Sequence, residues 1–244
     1  MDGMRIDILG VGFDDIAIGS AAQYAGDTIE SGGKIYIVTP NPEIVWMTRR
    51  DAALKNAVNS AGLVLPDGIG VIIGARILGK PLRCGRVPGI EFAETLLNIM
   101  ARFGGSVFLL GAKPDRAEIA GEKLAERYQG LKIAGTADGY FTDDCQIIEK
   151  INAARPDALL VCLGSPKQEL WMAENIKRLD VRICAGLGGV LDVFAGIAKR
   201  APVLFRKLGL EWLYRLFREP RRIKRMLRLP LFVIAVIWTR LFRR

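Results

Sequence analysis

Ala158-Leu-Leu-Val-Cys-Leu163 runs apolar for six residues and is followed at once by Gly164-Ser-Pro-Lys-Gln-Glu169. The first half reads as a short buried strand, and the second supplies the glycine, serine and proline with which a chain turns into a helix. The same pattern recurs on both sides of it. Arg5–Leu9, Lys34–Val38, Leu63–Leu65, Ser106–Leu110, Leu131–Ala134 and Arg182–Ala185 are further short apolar runs. Helical periodicity fills the intervals: Glu91, Thr95 and Asn98 draw a polar stripe opposite Phe92, Leu96 and Ile99, and Asp115–Tyr128 is similar. Alternating β and α elements predict a Rossmann-like α/β fold, a largely parallel sheet with flanking helices. In such sheets ligands bind beyond the carboxyl ends of the strands, so the loops there are where function is sought.

Those loops share a chemistry. Besides Gly164–Glu169 they are Thr39-Pro-Asn-Pro-Glu43, Pro66-Asp-Gly-Ile-Gly70, Gly111-Ala-Lys-Pro-Asp115, Gly135-Thr-Ala-Asp-Gly-Tyr140 and Gly186-Leu-Gly-Gly189. Glycine lets backbone approach a ligand, and a helix N-terminus offers N–H groups and a positive dipole to an anion. One such loop only says that the chain turns; six in one alternating chain point to a nucleotide or another phosphorylated ligand. Neither G-x-G-x-x-G nor G-x-x-x-x-G-K-[ST] occurs, so a dinucleotide fingerprint and a P-loop are not supported.

Composition narrows the chemistry. The 244 residues contain no histidine, which removes Ser-His-Asp and Cys-His catalysis and histidine-ligated zinc. Cys84, Cys145, Cys162 and Cys184 are scattered with no C-x-x-C pair, and Cys162 and Cys184 sit in apolar runs as small buried thiols. Carboxylates, hydroxyls, amides, guanidiniums and backbone remain to do the work.

The net charge of +9 is unevenly placed. From Lys199 to Arg244 fourteen Lys and Arg face two acids, a balance of +12, whereas the other 198 residues carry 21 bases and 24 acids, a balance of −3. A near-neutral body over 1–198 and a basic helical appendage over 199–244 are therefore expected. Met1–Asp15 has neither a basic start nor a sustained apolar core, so no targeting segment is expected there. Leu229–Trp238, ten residues interrupted by Pro230 and flanked by Arg228 and Arg240, is too short to span a bilayer. With Trp238 and Phe242 it suits an anionic membrane surface; the competing reading is a core-packing helix with solvated charges.

Asp67 follows an apolar run and a proline and precedes glycine, so its carboxylate is expected in a tight turn at a strand end. Without histidine it is the natural general base, though an Asp-Gly turn alone also accounts for it. Thr39 and Asn41 suit a sugar hydroxyl or phosphate oxygen, or the capping of a helix beginning near Glu43. Arg86, in Arg83-Cys-Gly-Arg-Val-Pro-Gly89, suits a bidentate grip on a pyrophosphate or a solvated surface charge. Gln168 is equally open between ligand contact and first-turn helix residue. Arg215, Arg218, Arg222 and Arg225 follow i, i+3, i+7, i+10 spacing and draw one stripe on a continuing helix, unless Pro220 begins a new one.

Taken together, Thr39-Pro-Asn-Pro-Glu-Ile-Val45, Pro66-Asp-Gly70, Arg86-Val-Pro-Gly89, Gly139-Tyr-Phe141, Gly164–Glu169 and Leu208-Gly-Leu-Glu-Trp-Leu-Tyr-Arg215 resemble one family, in order and with compatible spacing from about Ile6 to Arg228. It is the WecG/TagA/CpsF glycosyltransferases, also called glycosyltransferase family 26. The resemblance implies an inverting, metal-independent, cofactor-free transfer of a sugar from a UDP-sugar donor to undecaprenyl-diphosphate-linked GlcNAc. Its best-known members transfer N-acetylmannosamine in making the linkage unit of wall teichoic acid. It further implies a Rossmann-like fold that is neither GT-A nor GT-B, and a basic appendage that docks on the membrane. Carried over by position, the base falls on Asp67, and sugar and diphosphate contacts fall on Thr39, Asn41, Arg86 and Gln168. The appendage arginines fall on Arg215, Arg222 and Arg225, and a further site position on Asp192. Pro88 departs from the pattern, where the family usually has a small residue.

The expectation is thus a cytoplasmic enzyme bound peripherally to the inner face of the membrane, without nucleic acid as partner. Apolar surface beside the basic stripe is compatible with a homo-oligomer. UDP-N-acetylmannosaminuronic acid or UDP-glucose as donor stays open. An epimerase or dehydrogenase fits less well without dinucleotide glycines or a histidine. A non-catalytic module binding anionic lipid or RNA is the alternative from another class.

Overall fold

The computed structural model describes residues 5–218, 223 and 228–242. Its centre is a six-stranded, entirely parallel sheet of β3 (Ile35–Val38), β4 (Leu63–Val64), β5 (Ser106–Gly111), β6 (Lys132–Ala137), β7 (Ala158–Cys162) and β8 (Ile183–Gly186), in the order β4-β3-β8-β7-β5-β6. The α/β expectation is met. Alternate residues of each strand face opposite layers, so Ile37, Leu109, Leu160 and Ala185 point to one and Tyr36, Val38, Phe108, Leu110, Leu159, Val161 and Cys184 to the other. Both layers are covered, which is why the strands read as unbroken apolar runs.

The first layer holds α1 (Ile18–Glu30), α5 (Gly89–Arg102), α6 (Arg116–Arg127) and α9 (Val190–Phe194). The second holds α2 (Pro42–Thr48), α3 (Ala52–Asn59), α4 (Ile69–Ile77), α7 (Asp144–Ala154) and α8 (Lys167–Asn175). After β3 and β7 the chain turns to the second layer, and after β8, between them, to the first. Divergence of neighbouring connections opens a crevice at the carboxyl ends of β3, β8 and β7.

One apolar run does something other than extend the parallel sheet. Ile6–Ile8 (β1) pairs antiparallel with Val11–Phe13 (β2), a strand that apolar-run reading does not isolate. Leu9 and Gly10 lie at φ 54° and 89°, the left-handed pair that a two-residue hairpin requires. The ribbon shields the short edge strand β4: the Asp14 carboxylate accepts from Val64 N–H at 2.7 Å, and Arg5 binds Asp14 and the Asn59 and Ala61 carbonyls.

Among the described residues α10 (Val203–Lys207), α11 (Glu211–Arg218) and α12 (Arg228–Phe242) follow. Pro230 falls in the first turn of α12, where a missing N–H costs nothing. Phe232, Ala235 and Val236 bury one face of α12 against α2 and α4, with Phe232 Cζ 2.9 Å from where a Cβ of Gly74 would stand. Leu231, Ile234, Trp238, Leu241 and Phe242 stay exposed on it. Among the described residues no helix is long and apolar enough to cross a membrane.

Candidate active site

The crevice is assembled by hydrogen bonds between strand ends. At the end of β3, the buried Thr39 donates from Oγ1 to the Gly186 carbonyl at the end of β8, at 3.1 Å. The next carbonyl, Pro40, accepts the Asp67 N–H at 3.2 Å, and the Pro66 carbonyl accepts the Val87 N–H at 2.7 Å. Three loops distant in sequence are thereby laid side by side. Pro42 packs so closely on Gly70 that a Cβ there would lie 2.6 Å from the proline ring. Asn41, starting α2, and Asp67, before the Gly68 turn at φ 89°, are therefore held on adjacent loops.

Asn41 Oδ1 caps α2 by accepting from Ile44 N–H at 3.1 Å, while its Nδ2 has no partner among the described residues. Asp67 is half-buried. Gly89, first residue of α5, lies against Thr39, whose Oγ1 would be 3.3 Å from a Cβ at that position. The first-turn N–H groups and positive dipole end of a fourteen-residue helix therefore stand beside Thr39. Pro88 precedes it at φ −61°, ψ 131°, extended geometry that an N-cap position takes.

Gln168 is buried in the first turn of α8, where its Oε1 accepts from Gly188 N–H at 2.9 Å and its Nε2 donates to Glu169 Oε1 at 2.9 Å. It thus ties β7 to the turn after β8. Glu169 ends the same Gly164–Glu169 motif, and the sequence alone gives it no role. Its signal was an acid on a helical face otherwise made of Gln168, Trp171, Met172 and Asn175, all buried. Burial pushes its carboxyl above the usual range, against the opposing hydrogen bonds from Ser165 and Gln168.

Arg86 is engaged. Its Nη1 meets Glu211 Oε2 at 3.3 Å and its Nη2 donates to the Arg206 carbonyl. This carbonyl belongs to a helix end of Schellman type, in which Leu210 N–H reaches Phe205 O and Gly209 N–H reaches Arg206 O. Gly209, at φ 72°, sits on Ile69, whose Cβ would be 2.7 Å from a side chain there. The α10–α11 corner therefore rests on the Asp67–Ile69 turn, and α11, which carries Arg215, departs from that point. Arg222 and Arg225 lie outside the described residues. Asp192, on α9, pairs with Arg116 at 2.6 Å and makes no direct contact with Thr39, Asn41 or Gln168 among the described interactions.

Among the described residues the arrangement offers the half-buried Asp67 carboxylate, two side-chain amides, a helix N-terminus and the Arg86 guanidinium around the crevice. Such a set can bind a phosphorylated sugar and take a proton from a hydroxyl. Among the described residues no three His, Cys, Asp or Glu side chains gather into a metal-binding group.

Comparisons with known proteins agree with this chemistry. The model of the Glycosyl transferase WecG/TagA/CpsF family matches residues 6–244. A Bacillus spizizenii relative named N-acetylglucosaminyldiphosphoundecaprenol N-acetyl-beta-D-mannosaminyltransferase is 38% identical over 202 residues, covering 83% of this chain and 78% of the relative. Relatives of the same name from Staphylococcus aureus are 35% identical over 234 residues, covering 95% of this chain and 92% of theirs. With a match of that extent over the whole described sheet and the loops that line its crevice, the chain belongs to the WecG/TagA/CpsF glycosyltransferase family.

Proposed function

We propose that this protein is an inverting hexosyltransferase that moves N-acetylmannosamine from UDP-N-acetylmannosamine to the GlcNAc of undecaprenyl-diphosphate-GlcNAc, in teichoic acid or related surface-polysaccharide synthesis. The observation that carries the reading is the juxtaposition of Asp67, Asn41 and the α5 N-terminus at one crevice, in a chain matching transferases of that name over 95% of its length.

Asp67 takes the proton of the acceptor hydroxyl as its oxygen attacks the anomeric carbon. The bond to the UDP oxygen breaks on the opposite face, which inverts the centre, and UDP departs with the bonding pair. Negative charge grows on the leaving diphosphate, where the α5 N-terminus, Arg86 and the appendage residues Arg215, Arg222 and Arg225 supply compensation. Thr39, Asn41 and Gln168 orient the donor, and Asp192 shapes the crevice from α9 through its pair with Arg116.

In this reading residues 1–198 form the catalytic body and 199–244 an appendage that lies on the inner face of the membrane. Support comes from the exposed Leu231, Ile234, Trp238, Leu241 and Phe242 and the local charge of +12. The same apolar surface supports self-association off the membrane.

The test is UDP release on anionic vesicles from UDP-N-acetylmannosamine and a short-chain isoprenoid-diphosphate-GlcNAc. Release is expected only with both substrates, and Asp67→Asn should lower it by about 10² to 10⁴-fold with an unchanged melting temperature. Wild-type turnover in that variant overturns the base assignment. Silence with every UDP-sugar overturns the transferase reading.

A further inference from the structure

Glu169 is 1% exposed, yet among the described residues no Lys or Arg forms an ion pair with it. A carboxylate kept in such a place is costly unless its oxygens are satisfied. Both are: Ser165 Oγ donates to Oε2 at 2.7 Å and Gln168 Nε2 to Oε1 at 2.9 Å.

The second contact has a directional consequence. The two ends of a glutamine amide are nearly equal in shape, so its neighbours decide which way it faces. An N–H such as that of Gly188 can only donate, and Glu169 Oε1 accepts whether the carboxyl is ionised or carries its proton on Oε2, towards Ser165. With Gly188 on one side and Glu169 on the other, the Gln168 carbonyl must meet the first and its NH₂ the second. One Nε2 proton is then used, and the other has no partner among the described residues. The amide lies against the end of β8, 3.2 Å from where a Cβ of Gly186 would be, and Thr39 fastens that same residue from β3.

We infer that Glu169 is a positioning residue of the donor site: it turns the Gln168 amide so that the carbonyl pins the Gly186–Gly189 turn and one N–H remains for an oxygen of the sugar diphosphate. The inference rests on the reading of the crevice as a UDP-sugar site, and it assigns Glu169 an effect through Gln168 rather than contact with the donor.

Glu169→Gln keeps the size of the side chain while replacing an obligate acceptor by an amide that can face either way. The variant, Gln168→Ala and the double variant are compared in melting temperature, amide hydrogen exchange at Gly188, UDP affinity by calorimetry, and donor KM against kcat. Exchange at Gly188 is expected to quicken and donor KM to rise about tenfold in Glu169→Gln, with a smaller change in kcat. The double variant should be no worse than Gln168→Ala alone, because one residue acts through the other. Unchanged Gly188 exchange in folded Glu169→Gln, or effects that multiply in the double variant, overturns the inference. Equal UDP affinity in wild type and Glu169→Gln does the same while leaving the transferase reading intact. Failure of wild type to bind UDP or use any donor overturns the transferase reading and the donor role together, and quickened Gly188 exchange would still support the orienting role.

Discussion

Strands β3, β5, β7 and β8 bury nearly every side chain they carry, whereas beyond Lys199 α12 buries one face and Val203, Leu204, Leu208, Phe217, Trp238, Leu241 and Phe242 stay exposed. The attachments differ in kind as well. The sheet is held by apolar packing on both faces. The segment after Lys199 is held by ion pairs from α5, with Arg200 on Glu91 at 2.8 Å and on Glu94 at 3.2 Å, by Arg86 on Glu211, and by the seat of Phe232 over Gly74. Arg200 Nε and Arg206 Nε are buried there with no partner among the described residues. Packing by burial is indifferent to salt and surface; attachment by partly exposed ion pairs is weak and screened. The comparison teaches that the sheet is held by burial on both faces, and the segment after Lys199 by partly exposed ion pairs and one apolar seat.

The largest contrast is expected in the thiols. Burial pushes Cys162 up to about 12 and raises Cys184 further, while Cys84 and Cys145 are exposed. Since a raised pKa delays ionisation, Cys162 stays protonated at pH 7 and on moving to pH 9. A disulfide reagent should therefore titrate two thiols in native protein and four after denaturation. Reaction of all four in the native state would break the picture of a closed sheet.

Next in size, Gly74→Leu should unseat α12 by placing a side chain where Phe232 and Val236 lie, at a cost of roughly 3 kcal/mol. Amide exchange should quicken along α12 and stay slow in β3, β7 and β8, with Cys162 and Cys184 still protected. Equal loss of protection in the sheet would show that the two regions unfold as one. The smallest effect belongs to the ion pairs. Glu91→Gln with Glu94→Gln should weaken attachment of the 199–211 segment by about 1 kcal/mol, read as faster proteolysis there, and 1 M salt should mimic it in wild type. Loss of several kcal/mol would mean that these pairs, rather than the α12 seat, hold the segment.

The strands of the sheet are legible because each is an apolar run closed by a turn-forming loop, except that β6 runs Lys132–Ala137, so Gly135-Thr-Ala, expected in the loop, belongs to the strand. The β1–β2 ribbon is not, because a three-residue strand after Leu9-Gly10 carries too few alternating positions to show a period. Within the site, Thr39, Asn41, Asp67 and Gln168 could be named from loop chemistry, since each stands at a strand end. Their partners could not. Arg86 meets Glu211 across 125 positions and Glu43 meets Arg228 across 185, and no local pattern encodes such pairings. The motif around Leu208–Arg215 was recognisable while its reason was hidden: Gly209 serves both as the left-handed helix end and as the gap into which Ile69 fits. Glu169 carries no legible role because an acid beside an amide at a helix start ordinarily faces water.

The ion pair of Glu43 with Arg228, at 2.8 Å, has a mechanical meaning. Glu43 stands two residues after Asn41, in the same first turn whose Pro42 is wedged on Gly70. Arg228 thus joins the terminal helix to that turn, and the proline of the turn lies against the segment that follows Asp67. The last helix and the loop of Asp67 thus lean on one shared part, the first turn of α2, which under the proposed function stands between the membrane side of the molecule and its sugar side.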